Sequence, residues 1–203
     1  MKTSYGRSNF EKTKKMTLLA VLAAVVVVFQ LIGGYLKIGA TSISIVLIPI
    51  VLGGVILGAK AGAFLGFVFG AVTFFCGLFG TDMFTNYLIS VEPFWTAVIC
   101  FGKGTLAGLV SALLYKLIAG KNKFTATLVA SMAAPVVNTG LFILGGLTVV
   151  AEALSGQFVA EGTTLVYFLV IGCAGINFLV EFAVNVVMSP VIKAISDAAG
   201  KKF

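Results

Sequence analysis

GGVILGAKAGAFLGFVFG, residues Gly53 to Gly70, contains a single charge, Lys60, and places glycines at 54, 58, 62, 66 and 70. A four-residue period lines those glycines up on one face of a helix. Around them stand Val, Ile, Leu and Phe. A smooth stripe on an otherwise apolar helix lets two backbones approach closely, which is how helices associate in lipid. The stripe reads as a packing face inside the protein rather than a surface for a partner.

The rest of the chain agrees with a lipid environment. Hydrophobic residues make up 60% of its 203 positions and charged residues only 10%, whereas a soluble domain carries about 25% charged residues. Such a chain has too few polar side chains to cover a water-facing surface. Cys76, Cys100 and Cys173 each lie in an apolar run and are odd in number, so they read as small core residues rather than a disulfide frame or zinc site. Histidine is absent, which removes the commonest general base and transition-metal ligand.

A helix needs roughly 20 apolar residues to cross the hydrocarbon. Six segments suggest themselves: Met16–Tyr35, Ser42–Leu57, Gly62–Phe79, Pro93–Leu117, Phe124–Val150 and Thr164–Ile192. The second is short and lies close to the third. The fold expected is an all-α membrane protein, a compact bundle of six transmembrane helices forming one domain over 1–203. Residues 1–15 form a polar, basic segment that reads as retained rather than as a cleaved leader. With both termini cytoplasmic, the inner segments hold Lys2, Arg7, Lys12, Lys14, Lys15, Lys60, Lys116, Lys121, Lys123, Lys193, Lys201 and Lys202. The outer loops hold Lys37 with Asp82, Glu92, Glu152 and Glu161. The positive-inside rule favours that orientation.

The outer connections, Gly80 to Glu92 and Ala151 to Thr163, are longer than the inner ones. The first contains TDMFTNYLISVEPFW, whose mixture of aromatic and polar residues suits a lid over a small-molecule pocket, with Asn86, Tyr87 and Trp95 as contacts. An interfacial aromatic belt explains Tyr87, Phe94 and Trp95 equally well.

Inside the spans, VICFGKGTLAG (98–108) carries Lys103 about ten residues, or roughly 15 Å, below Pro93. A charge at that depth is costly, faces the bundle and has a partner. Gly102 and Gly104 leave room beside it. Asn138 follows Pro135 in the fifth segment, and Asn177, Glu181 and Asn185 share one face of the sixth. Gln30 sits late in the first. Lys103 either pairs with Glu181 as structure, or joins the amides to hold a small carboxylate or phosphate. GKGT at 102–105 lacks the spacing of a phosphate loop and follows no strand, so the chain has no site of its own to hydrolyse ATP. An acid–histidine relay and a clear internal repeat are also missing.

These features together resemble one family: the substrate-binding (S) components of energy-coupling-factor (ECF) vitamin transporters. Ala20 and Ala24 make an AxxxA pair in AVLAA. The stretch SISIVLIPIVLGGVILGAKAGAFLGFVFG matches the family's most typical region, and the likeness runs from Thr13 to Lys193. APVVNTGLF around Asn138 and NFLVEFAVNVVMSPVI look most like the pantothenate-type branch. The resemblance implies a subunit that is not an enzyme. It captures a vitamin outside, near the outer loops and later spans, and delivers it inside with a membrane coupling subunit (T component) and two ABC-type ATPases. ATP is then used by the partners, this chain needs no cofactor or nucleic acid, and the location is the plasma membrane of a bacterium. Ala20 and Ala24 would dock the coupling subunit, and Lys103 would hold a carboxylate while Asn138 reads a hydroxyl or amide.

Riboflavin and folate remain open as substrates, because the 18 phenylalanines offer stacking faces. A stand-alone carrier using Glu181 for protons is the alternative of a different class, and a membrane enzyme acting on lipid is a third.

Overall fold

Glycine and proline punctuate this chain into helices. The computed structural model describes residues 2–33, 37–38, 41–42, 45–159 and 162–200. Tyr35, Glu161, Lys201 and Lys202, assigned above to the first span's end, an outer loop and the inner C-terminus, lie outside them. Helix α1 is Lys2–Gly33, followed by the two-residue antiparallel strands β1 (Lys37–Ile38) and β2 (Thr41–Ser42). Next come α2 (Leu47–Leu57), α3 (Ala59–Leu78), α4 (Met83–Val91), α5 (Pro93–Ile118), α6 (Lys123–Thr148) and α7 (Ala151–Phe158). A last helical run comprises α8 (Leu165–Tyr167), a π-helical segment Phe168–Ala174 and α9 (Gly175–Gly200).

Among the described residues, five helical stretches are long and apolar enough to cross a bilayer: Phe10–Gly33, Ala59–Leu78, Pro93–Ile118, Lys123–Thr148 and Leu165–Ala199. Their outward faces present Met16, Val28, Phe67, Leu144 and Val187, all exposed. In water so much apolar surface would drive aggregation; in lipid it is the solvated surface.

The second expected span is corrected in extent. Helix α2 has 11 residues, about 16 Å at 1.5 Å per residue, roughly half the hydrocarbon thickness. It begins at Leu47 and not at Ser42, which lies in β2. Pro49 then falls in the first helical turn, where a missing N–H costs nothing. The helix is enclosed: Leu47, Ile50 and Val51 are fully buried, packed with Leu22 and Val26 of α1, Leu65 and Phe69 of α3 and Ile192 of α9. A single residue, Gly58, separates α2 from α3. Its φ of 92° suits glycine and strains other residues.

The glycine stripe is an internal packing face. A Cβ on Gly62 would lie 2.5 Å from the Gly108 carbonyl oxygen, and one on Gly108 would overlap the Gly62 carbonyl. Gly66 and Gly104 stand in the same reciprocal relation, and Gly70 abuts the Cys100 carbonyl. Helices α3 and α5 therefore touch backbone to backbone over three turns.

Two other boundaries differ from the sequence reading. Helix α1 starts at Lys2, well before Met16, so the basic segment is helical. Helix α9 runs to Gly200, past Ile192, extended by a Lys193–Asp197 pair at 2.6 Å one turn apart. The connections read as outer loops each fold into a short helix, α4 and α7. Phe84 and Leu88 of α4, Leu154 of α7 and Leu169 and Cys173 of the π-helical segment form a second apolar cluster beside Val150.

Candidate functional site

Beneath that second cluster lies a cavity within the bundle, about 660 Å³ of space between side chains with the open solvent at its mouth included. Lys103 lines it, together with Gln30 of α1, Phe69 and Thr73 of α3, Asp82 and Thr85 at the start of α4, and Phe142 of α6. Each helix contributes by register. Thr96, Ile99, Cys100 and Lys103 recur at three- and four-residue spacing on α5, so one face of that helix turns to the cavity.

The Lys103 ammonium stands 5.8 Å from the centroid of the Phe69 ring and 5.4 Å from that of Phe142. Aromatic faces attract a cation at this range but leave its charge uncancelled. No hydrogen bond or ion pair joins Lys103 to another described residue, so pairing with Glu181 is not what holds it. Of its flanking glycines, Gly104 is spent on packing against Gly66, and only Gly102 borders open space.

The polar side chains of the wall are committed in a consistent way. Thr73 donates to the Phe69 carbonyl (3.0 Å) and accepts from Gln30 Nε2 (3.1 Å). Thr85 donates to Asp82 Oδ2 (2.6 Å), and Thr96 donates to the Glu92 carbonyl (2.7 Å). A hydroxyl has one proton but two lone pairs. These threonines can therefore accept from a ligand, while Lys103 supplies donors and positive charge. The wall suits a molecule with an anionic group at one end and hydroxyl or amide donors elsewhere.

Of the residues expected to contact the ligand, Lys103 lines this cavity, and so does Gln30, which the sequence offered as a candidate partner for it. Asn86 is exposed and donates to the Gly77 carbonyl (2.8 Å). Tyr87 donates to the Ala153 carbonyl (3.1 Å) and meets Phe158 edge-on, tying α4 to α7 above the cavity. Trp95 is on the outer surface against Phe94. Asn138, Asn177 and Glu181 are buried on α6 and α9; Asn138 is one turn from Phe142 but outside the lining. Ala20 and Ala24 are both exposed on α1. The sequence marks Asp82 only as an outer-loop charge and does not single out Thr73, Thr85 or Thr96. Nothing local distinguishes those threonines from the others in the spans.

The family model for the ECF transporter, substrate-specific component, matches residues 14–193. The pantothenic acid transporter PanT of Lactococcus lactis subsp. cremoris (strain MG1363) is 27% identical over 198 residues, covering 89% of this chain and 92% of its own. No solved structure matches. Apolar helices long enough to cross a bilayer several times, a cavity within their bundle and a family match along almost the whole chain converge: this multi-pass membrane protein belongs to the substrate-specific components of ECF transporters.

Proposed function

We propose that this chain is the vitamin-binding subunit of an ATP-driven importer and that its substrate is pantothenate. The observation that carries the reading is the Lys103 ammonium, which lines the cavity beside the Phe69 and Phe142 rings and forms no ion pair among the described residues. A carboxylate entering the cavity would pair with it. The Asp82–Thr85 and Gln30–Thr73 pairs would meet hydroxyls and an amide. The similarity to PanT points the same way. Helices α4 and α7 would cover the ligand, with Tyr87 as their tie.

In this reading the five long helices and the short α2 make the six-segment bundle of the S component, in a bacterial plasma membrane, with both termini in the cytoplasm. Ala20 and Ala24 form the exposed small-residue patch that meets the coupling subunit, and two ATPases complete the machine.

Denaturing the purified protein and analysing the released small molecules by mass spectrometry tests the substrate. Pantothenate at near one per chain is the expected result. A different vitamin would keep the binding subunit and replace the substrate. An empty extract followed by no response to a panel of vitamins would overturn the reading. Ala20→Leu with Ala24→Leu should leave vitamin binding intact and abolish co-purification with the coupling subunit; assembly that survives would move the docking surface elsewhere.

A further inference from the structure

Helices α6 and α9 bury oxygen atoms that have no hydrogen-bond partner among the described residues: Ser131 Oγ, Asn138 Oδ1, Asn185 Oδ1 and Ser189 Oγ. All four residues are at least nine-tenths buried. An orphaned buried acceptor is costly, and native proteins rarely tolerate one without a reason.

The four are brought together by the way the helices run. Lys123 at the start of α6 lies 3.9 Å from Asp197 near the end of α9. At the other end, a Cβ on Gly146 would meet Leu169 at 2.8 Å. The helices are therefore antiparallel. Between these anchors Ser131 falls level with Ser189 and Asn138 level with Glu181, each to within about one turn, with Asn185 the next turn of α9 beyond Glu181. On α9 the buried face reads Asn177, Glu181, Asn185, Ser189, each one turn from the next. Asn185 donates its Nδ2 to the Glu181 carbonyl at 2.8 Å, which turns its Oδ1 away from its own helix. Pro135, buried in α6, has no N–H to give the Ser131 carbonyl, and this frees a main-chain acceptor at the same seam.

The atoms so assembled are acceptors, and the central ones, amide oxygens beside a carboxylate, cannot donate at all when the acid is ionised. A small cation satisfies several such oxygens at once, and side-chain and main-chain oxygens are the ligands that hard cations take. We propose that the middle of the α6–α9 seam binds a desolvated monovalent cation through Asn138 Oδ1, Asn185 Oδ1 and the Glu181 carboxylate, with Na⁺ as the ion to test. The site lies apart from the cavity wall and does not depend on which vitamin that cavity takes.

The test uses the full chain in detergent without vitamin. Thermal unfolding is followed in NaCl and in choline chloride at equal ionic strength. The melting temperature should rise with Na⁺ and saturate, by roughly 5–10 °C when the site is filled. Asn185→Leu and Glu181→Gln should abolish the rise, and Ser189→Ala should keep it. Equilibrium dialysis with radioactive sodium reads the site directly: about one ion per wild-type chain and none on Asn185→Leu that still elutes as a single species. Identical melting in the two salts, or no bound sodium, overturns the proposal and leaves the vitamin reading untouched.

Discussion

Two helix pairs in this molecule use the same four-residue period to opposite ends. On α3 the repeated residue is glycine, and the stripe closes the α3–α5 interface until carbonyl meets Cα. On α9 the repeated residues are Asn177, Glu181, Asn185 and Ser189, and the stripe fills the α6–α9 interface with polar atoms that the protein only partly pairs. The first is held by close packing and weak contacts along three turns. The second carries a penalty for every oxygen left unmet. Periodicity alone shows that both faces turn inward. The side chain decides whether the result is a close-packed seam or one lined with polar atoms.

The largest expected effect breaks the glycine seam. Gly66→Leu places a side chain where the Gly104 carbonyl now sits, and backbone cannot move aside as a side chain can. Overpacking of this kind should cost more than about 3 kcal/mol, seen as a melting temperature lower by at least about 10 °C or as failure to recover monodisperse protein. A variant that melts like the wild type would mean that the two helices do not pack as described.

Lys103→Met acts on the face of α5 next to that seam. It should weaken binding of an anionic vitamin by about 2 kcal/mol, roughly 30-fold, with little change in melting temperature. Binding unchanged in a calorimetric titration would assign Lys103 a structural role instead.

A smaller effect is expected at the cover of the cavity. Tyr87→Phe keeps the ring against Phe158 and removes the bond to the Ala153 carbonyl, at a cost of about 1 kcal/mol. Faster vitamin release with an unaltered association rate would support α4 and α7 as a latch; unaltered release would not.

Ser189→Ala is the gentlest change and sharpens the contrast most. It deletes a buried hydroxyl that has no partner among the described residues, so stability should stay the same or rise by less than about 1 kcal/mol. A clear loss of stability would show that this hydroxyl is paired within the membrane protein as purified.

Much of the architecture was legible in the residues. Apolar runs gave three of the long helices, α3, α5 and α6, nearly to their ends, the GxxxG stripe predicted close helix contact, and Lys103 stood out as a costly charge in an apolar run. Helix α2 was misjudged in extent because hydropathy has no view of Pro49's place in a first turn. The outer connections were read as loops because nine- and eight-residue helices leave little periodic trace.

The candidate site was less legible. Lys103 and Gln30 line the cavity, whereas Asn138, Asn177 and Glu181 share their apolar context in the sequence but lie on a different pair of helices. Gln30, Thr73, Asp82 and Thr85 come from three helices, and only packing brings them into one wall. Composition and period by themselves determined that this chain lives in lipid and which helix faces turn inward, because those follow from the solvent and from 3.6 residues per turn. Which inward faces meet each other was decided by tertiary structure alone: the glycine contact holds α5 in a register on α3 that aims Lys103 at the cavity, and no property of residues 98–108 encodes that partner.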